Sequence, residues 1–237
     1  DAADHSVLVM DSPPVLEAGD LLVASPEVVG IEAAGTLVEI DSGSARIRRA
    51  LGVGVAAYDA VVHLDSAGQE RTVPALREMQ VPALGRPPQV PRPLRYQSDD
   101  PWDQRYLGEA IALGQTLEDL ADGLTDNLAP GEGRTPGFFR QVLPGLDDEA
   151  EFTAPLVLPD REPGETLVGA AISDLGEKGS FADRWSAVFD FRDAGAEWGL
   201  VALDQAVRTT PLLGSVEEAL GTAPLEFASA VAADPAA

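Results

Sequence analysis

The sequence contains no cysteine, a single lysine (Lys178) and only two histidines. The absence of cysteine excludes disulfide bonds and thiolate metal centres. Because His5 and His63 lie far apart in the sequence, a histidine-rich zinc site is also disfavoured. We therefore predict no metal ligands of these kinds. His63 lies in a predicted strand, where alternation places it on the face opposite Val62 and Leu64 and so toward solvent.

Long apolar runs and clusters of positive charge are scarce as well. No apolar run approaches the about 18 residues that a membrane-spanning helix needs. No signal-peptide pattern opens the chain, which begins at Asp1. The largest basic cluster, Arg46, Arg48 and Arg49, alternates along a predicted strand. Phosphate contacts need clustered lysine and arginine, so direct nucleic-acid binding is disfavoured.

Negative charge is abundant instead. The chain has 40 acidic and 16 basic residues, a net charge of −24. Self-repulsion at this density destabilises a compact state in dilute buffer, whereas the Debye length of about 3 Å at 1 M salt removes most of that cost. Nearly all of the positive charge is arginine, which fits the same setting because lysine stems add apolar surface. A halophilic source explains both features; an acidic face for a basic partner and compositional drift are the alternatives.

The first 81 residues are predicted to form a small β-barrel or sandwich. Short apolar segments recur between turns, among them Val7–Met10, Leu21–Ala24 and Val28–Ile31. Two four-residue loops predict hairpins. The first loop joins Thr36–Ile40 to Ala45–Arg49, and the second joins Ala60–Asp65 to Glu70–Val73.

Residues 82–101 contain six prolines, a density that favours extended chain and predicts a linker or a surface arm. The arm ends at a helix start, because Asp100 can cap and Pro101 suits the first helical position. The periodicity predicts one amphipathic helix over about 102–122, with Gly123 as its stop. Its apolar face consists of Leu107, Ala110, Ile111, Gly114, Leu117, Leu120, Ala121 and Leu124.

Residues 102–237 are predicted to combine this helix with an antiparallel β domain. Thr166–Ile172, Trp185–Phe191 and Glu197–Asp204 are predicted strands, and a loop with Asp193 and Gly195 joins the last two as a third hairpin. In the tail, Ser215 and Glu218 predict a capping box for a short helix that Gly221 ends. The predicted fold class is therefore mainly β with minor α.

One segment matches the form of a dinucleotide-binding turn, G-x-G-x-x-A, at Gly52–Ala57. A crossover helix should follow such a turn, yet Ala60–Asp65 is already the next predicted strand. We therefore predict closely packed glycines in a strand or a bulge and no cofactor site. Two acidic clusters, at residues 99–103 and 147–151, lack the EF-hand pattern, so solvated loops are favoured over a Mg²⁺ or Ca²⁺ site.

Aromatic residues make up only 5% of the chain, which bears on enzymatic candidates. A pair of carboxylates at glycosidase spacing can arise by chance in so acidic a chain. Sugar sites also need aromatic platforms, and few candidates exist beyond Tyr96, Trp102 and Trp198. No hydrolase or nucleotide motif occurs. We predict no catalytic residues and rank a carboxylate-based hydrolase third among functions.

The N-terminal third resembles the small β domain of capsid decoration (cement) proteins of tailed viruses. The resemblance lies in Ala18–Val23, Gly35–Val38 and Ala50–Ala60, which match the family's "GD-strand" opening and its "GVA…DA" strand and turn. It covers about residues 16–75. The family usually has a glycine soon after the "DA" pair, where this chain continues Val61-Val62-His63, and residues 82–237 have no counterpart. The resemblance implies a non-enzymatic, multi-copy shell component.

These observations favour a virion structural protein, a capsid decoration or head-associated component of a virus that infects a halophilic host. Its expected partners are the major capsid protein or other virion proteins and further copies of itself, and its expected location is the virion. Residues 1–15 and 82–101 are candidate arms across neighbouring subunits. The second hypothesis is a secreted or cell-surface β-domain binding protein of a halophile.

Overall fold

The computed structural model describes residues 13–83, 86–128, 135–143, 146 and 161–232, with the side chains of residues 136 and 222–232 excepted. The chain divides into two compact units, residues 1–95 and 96–237. Three sequence-based predictions fall wholly or mostly outside the described residues: the strand at Val7–Met10, the candidate arm at residues 1–15, and the acidic loop at 147–151.

The described part of the first unit, which we call the β unit, contains nine strands in two antiparallel sheets. One sheet has the order β1-β4-β5-β8-β9 and the other the order β2-β3-β6-β7. The strands are β1 (Gly19–Ser25), β2 (Val29–Ala33), β3 (Thr36–Ile40), β4 (Gly43–Arg49), β5 (Gly52–Ala57), β6 (Val62–Ser66), β7 (Gln69–Val73), β8 (Arg77–Pro82) and β9 (Arg92–Pro93).

Alternation along each strand builds the core of this unit. In β6, Val62, Leu64 and Ser66 are buried while His63 and Asp65 are exposed. The same period places one face of every longer strand in a shared core, because successive side chains point to opposite faces of a sheet. That core includes Ile31, Val38, Ile40, Ala45, Ile47, Val53, Val55, Leu64, Met79 and Val81. The predicted β structure is thus confirmed for this unit, and the strands of residues 13–83 and 86–95 form two sheets rather than a closed barrel.

One predicted hairpin is confirmed and the other is wrong. Strands β6 and β7 pair with Ser66 opposite Gln69, so a two-residue turn joins them, shorter than predicted. In contrast, β3 pairs with β2 and β6, whereas β4 pairs with β1 and β5, so the loop at residues 41–42 carries the chain from one sheet to the other. A short polar loop can form either a hairpin turn within one sheet or a crossing between two sheets. Only the pairing partners of the flanking strands distinguish the two connections.

Tight turns in the β unit depend on residues with positive φ. The β2–β3 turn has φ 48° at Ala34 and 73° at Gly35, and the β6–β7 turn has 53° at Ala67 and 70° at Gly68. Two-residue turns of this hand match the twist of the flanking strands. These two turns fix the pairing register of β2 with β3 and of β6 with β7, because each turn sets which two residues face each other at its base.

The described part of the second unit, the helical unit, contains helices and no strand. The helices are α1 (Pro101–Asn127), α2 (Pro136–Val142), α3 (Pro163–Leu175), α4 (Phe181–Asp193), α5 (Trp198–Asp204) and α6 (Thr209–Ala232). The prediction of a C-terminal antiparallel β domain is therefore wrong. The first two predicted strands lie within α3 and α4, and the third coincides with α5 except for Glu197, its N-cap. Residues 194–197 join two helices where the third hairpin was expected.

The physical reasons for this error lie in burial and helix caps. From Pro163 to Ser173 every residue of α3 except Glu165 is buried, so the run shows no amphipathic period. A short buried run cannot be assigned to strand or helix by periodicity. In α4 the buried Phe181, Trp185, Val188 and Phe189 follow spacings of three and four. Ser180 and Asp183 form a capping box that starts this helix.

Helix α1 confirms the predicted amphipathic helix and its start. The Asp100 side chain accepts hydrogen bonds from the backbone N–H groups of Trp102 and Asp103, at 2.8 and 3.2 Å. The predicted stop at Gly123 is wrong, because the helix continues to Asn127 and buries Leu124. One glycine costs a helix about 1 kcal/mol, which is little against the burial of an adjacent leucine.

Helix α6 also differs from the prediction. It runs from Thr209 to Ala232, so Ser215 lies inside it rather than at its N-cap, and Gly221 does not end it. Leu212, Val216 and Ala219 are buried at spacings of four and three. Packing of this face against α1 and α3 outweighs the low helix propensity of the internal glycines.

Candidate functional site

The residues singled out from the sequence lie where strand geometry predicts. Gly52–Ala57 is strand β5, and a Cβ at Gly52 would lie 2.2 Å from the Val81 carbonyl oxygen. The prediction of closely packed glycines in a strand is therefore confirmed. His63 is exposed on β6, with its Nε2 3.5 Å from an Asp41 carboxylate oxygen and its Nδ1 3.3 Å from the Thr72 hydroxyl.

The outer surface of the five-stranded sheet forms the first candidate site, which we call the arginine face. Cross-strand register aligns its side chains in two rows. One row is Asp20, Arg48, Gly54 and Gln80, and the other is Leu22, Arg46, Ala56, Glu78 and Arg92. Strand β5, in the middle of the sheet, contributes only the small residues Gly54 and Ala56. The longer side chains of β4 and β8 therefore flank a central strip without large side chains.

Ion pairs hold the arginines of this face in place. Asp20 accepts hydrogen bonds from Arg46 Nη2 at 2.9 Å and from Arg48 Nη2 at 3.0 Å. Arg92 Nε donates to Glu78 at 2.7 Å. The bonds from Arg48 and then Arg46 hold the pKa of Asp20 below its ordinary value, although partial burial opposes them. The rows carry three positive and two negative charges, so this face has a net charge of about +1 in a strongly acidic chain.

A groove in the helical unit forms the second candidate site, which we call the Tyr106 groove. Its volume is about 550 Å³, and α1, α5 and the start of α6 form its walls. The lining residues are Tyr106, Glu109, Ala110, Leu113, Gly199, Leu203, Ala206, Val207, Arg208, Thr209, Thr210 and Pro211. This volume lies within the range of about 300–1,000 Å³ that ligand sites usually have.

Tyr106, which lines the groove, belongs to an aromatic pair on α1. Trp102 and Tyr106 lie one helical turn apart on α1, with ring centroids 6.4 Å apart and planes 9° from parallel. The Arg105 guanidinium lies 5.7 Å from the Trp102 ring centre and 5.6 Å from the Tyr106 ring centre. Of the three tryptophans, Trp185 and Trp198 are buried and Trp102 is partly exposed. Tryptophan, tyrosine and arginine are the residues that most often dominate binding energy at interfaces.

The polar groups of the groove are partly engaged with one another. The Thr209 hydroxyl donates to Glu109 Oε1 at 2.5 Å. Leu203 is 45% exposed and presents apolar surface to the groove. The groove is thus an open channel with apolar walls, the Tyr106 ring and a few charged side chains.

The other residues considered for chemistry have structural roles. Trp198 is fully buried. Tyr96 donates its hydroxyl hydrogen to Glu197, and burial together with this bond raises the tyrosine pKa. Asp100 caps α1, while Asp103 accepts from the Gln97 backbone N–H at 2.8 Å. Across the described ranges, no three of the carboxylate and histidine side chains form a group suited to a metal ion.

Charge is divided unevenly between the two units. Residues 1–95 contain 13 acidic residues and 8 arginines, a net charge of −5, whereas residues 96–237 contain 27 acidic and 8 basic residues, a net charge of −19. The β unit therefore accounts for only a small part of the net negative charge of the chain. The helical unit carries most of it.

Comparison with known protein families, with curated proteins and with solved structures finds no match to this chain. The resemblance of residues 16–75 to capsid decoration proteins therefore rests on its short motifs and stays a prediction. Within the described ranges, no helix combines the length and apolar character needed to cross a membrane.

The sequence reasoning missed both surfaces as sites. A signal for the groove was present, because Trp102, Arg105 and Tyr106 lie at helical spacing but off the apolar face that starts at Leu107. A signal for the arginine face was the alternation of Arg46 and Arg48 along one strand. The partner Asp20 lies 26 residues from Arg46, and only the strand pairing brings them together.

Proposed function

We propose that this chain is a structural component of a virion, a capsid decoration or head-associated protein of a virus that infects a halophilic host. It acts by holding neighbouring proteins rather than by transforming a substrate. The arginine face is the observation that carries the proposal. A wide, low surface with preordered arginines fits contact with another protein, since arginine is enriched at interfaces and the ordering lowers the entropy cost of binding.

The division of charge supports the same role. The β unit, with a net charge of −5, approaches an acidic coat with little repulsion, and its arginine face offers the positive side chains for it. The helical unit, at −19, keeps the assembly hydrated in concentrated salt. When many copies bind the capsid together, weak individual contacts add up to strong overall attachment through avidity.

The experiment that tests this function is mass spectrometry of virions purified from a halophilic host on a density gradient in molar salt. We expect the chain to co-purify with the major capsid protein in many copies per particle. Its absence from the particles, with the chain recovered from the culture fluid or the cell envelope, would instead establish the secreted or cell-surface binding protein. The Tyr106 groove is the observation that favours that alternative.

A charge reversal tests the role of the arginine face. Particles that lack the chain are mixed with purified Arg48→Glu and Lys178→Glu proteins, which change the net charge equally. We expect Arg48→Glu to rebind at least about tenfold more weakly than the wild type, because an interface arginine commonly contributes more than 1 kcal/mol. Lys178→Glu should rebind like the wild type, because Lys178 is exposed on the helical unit. Equal rebinding of the two variants would remove the arginine face from the interface.

A further inference from the structure

A proline-rich segment of the β unit, residues 86–91, is displayed to solvent. Its sequence is Arg86-Pro87-Pro88-Gln89-Val90-Pro91, which contains the P-x-x-P spacing of an extended polyproline helix. Val90 is 76% exposed. This segment therefore presents apolar surface that another molecule can cover.

The same segment is held in place before any partner arrives. Pro87 is buried, and Arg71 Nε donates a hydrogen bond to the Pro88 carbonyl oxygen at 3.0 Å. Strand β9 begins directly afterwards and pairs with β8. A segment that is already ordered loses little conformational entropy on binding.

Its charge differs from that of the rest of the molecule. Residues 79–98 contain three arginines and no acidic residue, in a chain whose net charge is −24. Arg86 and Arg92 flank this segment and are themselves exposed. Of its prolines, Pro88 is exposed, Pro91 is half-buried and Pro87 is buried. The complementary surface is therefore acidic, and the helical unit, at −19, is the most acidic part of this chain.

The Tyr106 groove has the features that such a segment requires. Aromatic side chains at a groove dock prolines by packing flat against their rings. The Tyr106 ring lines the groove and lies parallel to the Trp102 ring one helical turn earlier, while Leu203 and Val207 supply apolar walls for a valine. Glu109 and Arg208 both line the groove. Glu109, which also accepts a hydrogen bond from Thr209, provides a carboxylate for a flanking arginine.

We infer that residues 86–91 of one copy of this chain lie in the Tyr106 groove of a second copy. The inference rests on the proposed multi-copy role and names the contact between copies. Because segment and groove are different surfaces, the contact is head-to-tail and each copy offers one of each. Such contacts extend into rings or rows, which is the behaviour that a multi-copy shell component needs.

The test is sedimentation velocity of the full chain in molar salt over a range of concentrations. We expect the wild type to associate reversibly, and we expect Val90→Ser and Leu203→Ser each to lower the association constant about tenfold or more. Val28→Ser is the matched control, because Val28 is also exposed, at 66%, but lies outside both surfaces. All three positions are exposed, so folding should be unaffected, and thermal melts verify it.

Mixing the two defective variants gives the sharper readout. Val90→Ser retains an intact groove and Leu203→Ser retains an intact segment, so the mixture should form one-to-one pairs that do not grow further. A synthetic peptide of residues 86–93 should dissociate wild-type assemblies, and the same peptide with alanine in place of each proline should not.

Three results would overturn the inference: a wild type that remains monomeric at every concentration, a Val28→Ser protein as impaired as Val90→Ser, or a mixture that shows no pairing. None of them bears on whether the chain is present in virions, which the particle analysis decides separately. Conversely, pairing in a protein absent from virions would retain this contact and remove the virion role.

Discussion

Single glycines determine how closely the helices of the second unit approach. At the crossing of α1 and α5, a Cβ on Gly199 would lie 1.7 Å from the Ala110 carbonyl oxygen. On α3, a Cβ on Gly164 would lie 1.9 Å from the Ala121 carbonyl oxygen. Both obstacles are backbone atoms, so no side-chain rotation relieves them. These helices therefore pack at a distance that only glycine permits.

We predict that Gly199→Ala destabilises the protein by about 3 kcal/mol, since inserting a methyl group into a packed core commonly costs 1–3 kcal/mol and here meets backbone. Gly123→Ala, on helix α1, is the control. A Cβ at Gly123 would meet no neighbouring atom within 4 Å. Alanine should stabilise that position by about 0.5–1 kcal/mol. Denaturant unfolding in molar salt measures both changes, and equal effects would contradict the close approach.

Asp20 makes part of the stability of the β unit dependent on pH. Its pKa is lowered in the folded protein by hydrogen bonds from Arg48 and then Arg46. A carboxylate with a lowered pKa stabilises the fold above its unfolded pKa of about 3.9, and this contribution disappears as the pH falls through the folded value. We expect Asp20→Asn to unfold at a lower denaturant concentration than the wild type at pH 7 and to approach the wild type as the pH falls through the lowered pKa of Asp20.

The control for this prediction is Asp65→Asn, which removes an exposed carboxylate from the other sheet. Its denaturation midpoint should keep the wild-type pH dependence. If the two variants instead showed the same pH profile, the effect would belong to net charge rather than to the arginine face.

Among the elements, helix α1 is the one whose start the sequence specifies most completely. Asp100 caps it and Pro101 occupies its first turn. We predict that Asp100→Ala costs about 1 kcal/mol of stability, because two backbone N–H groups lose their acceptor. Asp99→Ala removes an exposed neighbouring carboxylate and should change stability by less than about 0.5 kcal/mol. Urea unfolding followed by circular dichroism measures both, and similar losses would contradict the capping role.

The elements that were assigned wrongly share one property, which is burial on more than one side. In α3, Leu167, Val168, Ala170, Ala171 and Ile172 are all buried. Such a run satisfies the hydrophobic pattern of a central strand equally well. By contrast, the β unit was predicted correctly in class because most of its strands are buried on one face only, which leaves a period of two in the sequence.

At the scale of the whole molecule, net charge is the dominant property. A charge of −24 opposes compaction in dilute buffer, and salt screens that repulsion. We predict that dialysis from molar to low salt lowers the melting temperature, or unfolds the protein, with the helical unit affected first because its net charge is −19 against −5 for the β unit. Circular dichroism at 222 nm reports mainly on helix and would follow this change. An unchanged cooperative melt in dilute buffer would contradict adaptation to salt.

The sequence by itself determined the charge, the β character of residues 13–81, the start of α1 and the strand at Gly52–Ala57. Each of these follows from local rules: composition, alternation, a capping residue and the spacing between elements. Tertiary structure alone decided that β3 and β4 belong to different sheets, that buried runs after residue 160 are helices, and that Asp20 meets Arg46 and Arg48. These outcomes depend on which distant segments share a core, and no local pattern carries that information.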